Sequence, residues 1–185
     1  MTSLVLLSLC SALVVQAAPQ PTFTLKRGTV SYKIIHKLHE VTGTSQAARG
    51  TAKLLRDKTL EVRASVPVAT FDSGNANRDG HMLEAVEAAR FKTVELRARL
   101  PNFRLPPKFP AKARMKVPAQ ISFHGVQREE TVALDITFQD AKRVVVNATF
   151  TVSLEAYKVE RPSLMFIQIN DPMTVVAELH FEKRP

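Results

Sequence analysis

Arg78-Asp79-Gly80-His81, following Asp72-Ser73-Gly74-Asn75, is the run of this chain best equipped to move protons or attack a carbonyl. An aspartate beside a histidine can orient an imidazole, and Ser73 could then act as a nucleophile. A hydrolase or metal-dependent enzyme built on Arg78, Asp79 and His81 is therefore one reading. The same residue types also suit a loop-to-helix junction, where Asp and Asn satisfy open backbone N–H groups and Gly supplies turn geometry. That simpler role is the one we expect.

Metal binding has even less material. The five histidines are His36, His39, His81, His124 and His180. His36 and His39 would share a face on a helix but point to opposite faces on a strand. No zinc-protease spacing, glycine-rich phosphate loop or nucleophile elbow occurs. Cys10 is the sole cysteine, so no thiolate cluster and no intrachain disulfide can form. The expectation is a protein without catalytic residues, bound metal or required cofactor.

Residues 1–18 carry no charge, run through Leu4-Val5-Leu6-Leu7 and Leu13-Val14-Val15, and end Val15-Gln16-Ala17-Ala18 before Pro19. This reads as a secretory signal peptide with a small-residue cleavage site. The apolar run is short for a bilayer crossing, which takes about 20 residues. The expectation is an exported protein, periplasmic or extracellular, whose single domain spans 19–185. All of the net charge of +9 then belongs to that domain. Such a balance favours anionic partners or simply solvates the outer faces of strands, and export argues against nucleic acid. The oligomeric expectation is a monomer or a homodimer.

The elements that must position these groups announce themselves by period two. Leu60, Val62, Ala64, Val66 and Val68 share a face opposite Glu61, Arg63 and Ser65, and Val94–Leu100 and Val132–Phe138 repeat the rule. Residues 144–154 and 173–181 alternate likewise. Further strands are expected over 29–36, 40–46, 50–55, 113–117 and 163–169. One wet and one dry face per strand signals antiparallel sheet. We therefore expect an all-β fold, an antiparallel lipocalin-like β-barrel of about eight strands with one short helix. Spacings of three and four at Met82, Leu83, Val86 and Ala89 place that helix over 82–90, capped by Asn77 or Asp79. A barrel of this size is either filled by its own side chains or holds one slender ligand.

Four segments resemble the YceI-like family in order. They are Tyr32-Lys33-Ile34-Ile35-His36-Lys37 with Val41-Thr42-Gly43, then 71–82 (FDSGNANRDGHM), Ile121-Ser122-Phe123-His124-Gly125-Val126, and Val159-Glu160-Arg161-Pro162-Ser163-Leu164. The resemblance implies an exported lipocalin-like barrel that carries a long-chain apolar lipid, a polyisoprenoid or an isoprenoid quinone, and that is not an enzyme. A membrane surface is a further partner on this view, and a partner-binding barrel with a filled core is the competing reading. The expected ligand surface takes Tyr32, Ile34, His36 and Phe71 from the first two segments, with Arg78 and His81 meeting a polar head. Phe91, Phe123, Phe150 and Phe166 complete it.

Overall fold

The computed structural model describes residues 20–36, 39–161, 163–164, 167–168 and 170–185. The expected leader, 1–18, lies outside them. Eleven strands and one α-helix follow in order: β1 (Thr22–His36), β2 (His39–Ser45), β3 (Arg49–Leu54), β4 (Leu60–Pro67), α1 (Ala76–Ala85), β5 (Thr93–Leu100), β6 (Ala111–Phe123), β7 (Val126–Phe138), β8 (Arg143–Val152), β9 (Ser163–Leu164), β10 (Ile167–Gln168) and β11 (Met173–Lys183).

Eight of these close into an antiparallel barrel. Pairing runs β1-β3-β4-β5-β6-β7-β8-β11, and β11 returns to β1. Closure gives each strand of that ring a paired neighbour on both sides. β2 continues the line of β3 along β1 in the same register, Val30 facing Ser45 as Thr22 faces Lys53. Between these two stretches no pairing joins residues 25–29 to 46–50. A bulge between Leu25 and Arg27 shifts the β1–β11 register by one. Its consequence is a change of parity: Phe23 and Leu25 are buried before it, Tyr32 after it.

The interior divides into two halves. At the end formed by the starts of β1 and β8, Phe23, Leu25, Ile136, Phe138, Val144 and Phe181 pack into one cluster, with Phe103 and Leu105 of the β5–β6 connection against it. That end is filled. At the other end α1 lies across the opening, and Val68, Val86, Ile121, Phe123, Val152 and Leu154 form an apolar wall.

Two local expectations need correction. The helix occupies Ala76–Ala85 rather than 82–90, and its cap is Asn75, whose side chain accepts the Arg78 N–H at 3.0 Å. An Asn oxygen free to reach the N–H three residues ahead sets the helix start, and Asp79 is already engaged elsewhere. The expected strand over 163–169 is instead a hairpin, Leu164 pairing with Ile167. Alternation alone does not reveal a reversal within so short an apolar run.

Candidate functional site

Small residues at inward positions leave the barrel hollow above its filled end. Ala148 and Ala177 are cross-strand partners on β8 and β11, and Ala64 faces them from β4. Each supplies one methyl where a Leu or Phe would close the gap. The result is a cavity of about 440 Å³, within the roughly 300–1,000 Å³ usual for small-molecule sites. Its walls are mostly Val, Leu, Ile, Ala, Met and Phe, with Tyr32, Ser65 and Glu95 among them. Polar groups gather at α1, where Arg78 and His81 stand exposed on the rim.

The rim is held by a tight polar knot. Asp79 accepts the Ser73 hydroxyl and the Ser73 N–H, while Arg78 donates through Nε to Ser73 Oγ at 2.9 Å and through a terminal nitrogen to the Ser73 carbonyl at 2.6 Å. The Ser73 hydroxyl foremost, with the Ser73 N–H and the Arg78 charge, holds the Asp79 carboxyl below its ordinary range. Asp79 is thus spent on the loop. Among the described residues no hydrogen bond joins it to His81, so the Asp–His dyad an enzyme would need is not assembled. Nor do three His, Cys, Asp or Glu side chains gather there as a metal-ligand set.

Tyr32 lies just inside the rim with its ring 5.5 Å from that of Phe71. Burial, and behind it the Asp79 charge, raises the pKa of its phenol against the opposing pull of Arg78. The hydroxyl is therefore a neutral donor at the boundary between the polar rim and the apolar shaft.

Of the residues expected to meet a ligand, Tyr32, Ile34, Phe71, Arg78, His81, Phe123 and Phe150 share this one cavity. Phe166 and the side chain of His36 lie outside the described residues. Phe91 does not line the cavity. Its ring packs 4.8 Å from His124 and fills the space beside Gly125. His124 and Gly125 both have positive φ, +49° and +73°, making the two-residue turn between β6 and β7. The His124 ring is pinned there, Nδ1 3.0 Å from the Tyr157 carbonyl oxygen and Nε2 3.2 Å from Glu87. Tyr157 beneath it is fully buried; burial foremost, then the nearby Glu130 carboxylate, pushes its pKa far up. Phe91 and His124 thus serve the turn.

Several lining residues fell outside the expected set. Met82 and Val86 come from the α1 region, Leu96 and Met173 from the barrel wall, and Val159 from the connection after β8. The helical spacing of three and four that marked Met82 and Val86 was their only signal, and it does not distinguish a cavity lid from core.

A family profile described as YceI-like domain matches residues 21–181. No curated protein sequence matches. Among solved structures, a polyisoprenoid binding domain from Saccharophagus degradans implicated in plant cell wall breakdown superposes with a TM-score of 0.71 at 15% identity, covering 88% of this chain and 98% of that one. BcnA of Burkholderia cenocepacia gives 0.63 at 14%, covering 83% and 95%. The Campylobacter jejuni YCEI protein gives 0.52 at 10%, covering 100% of each. At such identities the likeness speaks for the fold.

Proposed function

This chain belongs to the YceI-like family, and we propose that it is an exported carrier whose barrel encloses the tail of one long-chain lipid, a polyisoprenoid or an isoprenoid quinone. The carrying observation is the cavity itself, lined mostly by apolar side chains, with the cationic Arg78 and the imidazole of His81 at the α1 rim and Tyr32, Ser65 and Glu95 as the further polar lining of its wall. An amphiphile is the ligand class that matches such a lining. The polyisoprenoid binding attributed to the Saccharophagus degradans domain supports the choice of tail.

Magnitudes favour a long tail over a short one. Burying carbon contributes roughly 0.8 kcal/mol per CH₂, so a five-carbon isoprene unit contributes about 4 kcal/mol. Association costs about 4–15 kcal/mol. Several buried units are needed before binding becomes tight. Arg78 and His81 would meet the phosphate or quinone head, while the neutral Tyr32 phenol donates just below it. No covalent step is required. The filled-core alternative needs this interior closed, and the small side chains at Ala64, Ala148 and Ala177 argue against it.

Mass spectrometry of a solvent extract of the purified protein tests the reading. The expected result is about one long-chain lipid per chain. A protein that releases none, and takes up none after delipidation, is not a carrier.

A further inference from the structure

The barrel wears its charge unevenly. The exposed outward residues of β3, β4 and β5 include Arg49, Lys53, Arg63, Arg97 and Arg99, against the carboxylates Glu61 and Glu95. Lys26 and Arg27, exposed at the β1 bulge, extend this basic wall. β6 adds Lys112, Arg114 and Lys116, of which Arg114 is paired with Asp135. On β7, β8 and β11 acids outnumber bases, Glu129, Asp135, Glu178 and Glu182 standing exposed beside Arg128 and Lys183, with Arg143 tied to Asp140.

Within the basic wall Arg63 and Arg97 are direct cross-strand partners, an arrangement that destabilises a sheet. Each leans on a glutamate of its own strand, Arg63 on Glu61 at 3.2 Å and Arg97 on Glu95 at 3.1 Å. The repulsion is eased and the positive face is kept. A second recess, about 500 Å³, is bounded by Arg49, Thr51, Arg63 and Arg97 with the carboxylate Glu95 among them, and reaches Leu25, Ala64 and Leu96, which also line the main cavity. It lies where the ladder between β1 and β3 ends. One layer of backbone separates the cationic face from the apolar shaft.

We propose that the β3–β5 wall is the face by which the protein lies side-on against an anionic lipid surface. The proposal rests on the lipid-carrier reading, because a carrier must meet a membrane to load or unload. The outward positions of these strands hold Thr, Ser, Glu, Arg and Lys but no aromatic ring on which a base could stack. The face is a continuous sheet of three strands, suited to a broad array of phosphates. Juxtaposed cations attract such a surface additively, and salt screens the attraction.

The lipid-loaded protein should sediment with vesicles of phosphatidylcholine containing about one third phosphatidylglycerol, but not with phosphatidylcholine alone. Binding should fade as ionic strength rises from about 0.01 M to about 1 M. Arg49→Gln/Arg63→Gln/Arg97→Gln should weaken it at least tenfold, and the same three changed to Lys should hold it within about twofold. Arg90→Gln/Lys92→Gln/Lys158→Gln, which removes equal charge near the α1 end, should also stay within about twofold. Equal loss in both Gln triples, loss only in the α1-end triple, or tighter binding to polyuridylate at matched phosphate would overturn the proposal. Extracted lipid per folded chain, measured in each variant, reports separately on the carrier reading.

Discussion

The ring of Tyr32 occupies the space that a side chain on Gly43, its cross-strand partner, would take: a Cβ built on Gly43 would lie 2.4 Å from Cε1 and Cζ of that ring. The glycine lets the aromatic lie across β2 at the rim, where it borders both the shaft and the polar knot.

Gly43→Ala should therefore push Tyr32 from its seat. Overpacking of this kind costs about 1–3 kcal/mol, a fall of several degrees in Tm for a chain of this length. Lipid retention should drop with it. Tyr32→Phe keeps the ring and should leave Tm nearly unchanged while weakening only ligands with a polar head. Calorimetry and extract mass spectrometry on the two variants check the pair.

Filling the shaft should separate stability from capacity. Leu adds three carbons to Ala, so Ala148→Leu or Ala177→Leu displaces tail carbons worth about 2 kcal/mol, more than tenfold in affinity. The added atoms enter existing space, so Tm should hold or rise. Titration of delipidated protein with an isoprenoid alcohol reads the affinity, and an unchanged Kd would place the tail elsewhere.

Arg78→Ala/His81→Ala should reduce retention of a lipid with a phosphate or quinone head and spare a headless hydrocarbon of equal length. Competition between the two ligands in one mixture gives the ratio directly. Equal retention by the double variant would remove the rim from head recognition.

Acid should loosen the lid at one definable point. The Asp79 pKa is depressed in the folded state, so its contribution is full above the ordinary aspartate range near 3.9 and is lost as pH falls through the depressed value. Lipid should be retained from neutrality through the ordinary aspartate range and released only below it, as pH falls through the depressed value. Asp79→Asn should flatten that step. Release of a fluorescent apolar probe across the pH series measures both.

Phe91 and Gly125 supply the opposite control. A Cβ on Gly125 would stand 2.5 Å from Phe91 Cε1, at a φ of +73°. Gly125→Ala should cost about 1–3 kcal/mol through strain and overpacking while leaving lipid per folded chain unchanged. A variant that folds normally yet loses lipid would return Phe91 to the ligand surface.

The alternation of dry and wet residues by itself determined the all-β class and the sidedness of β4, β5, β7, β8 and β11, because side chains on a strand can point only two ways; Tyr32, Phe71 and Phe123 were marked by the family resemblance instead. Alternation also fixed Ala64, Ala148 and Ala177 on the dry side. Whether those alanines add up to a hollow depended on their meeting across strands far apart in sequence, which only closure of the barrel decides. The start of α1 turned on which of several Asn and Asp side chains reached a backbone N–H first. Phe91 looked like any other apolar residue until the turn at His124 and Gly125 was seen to need a ring beside it.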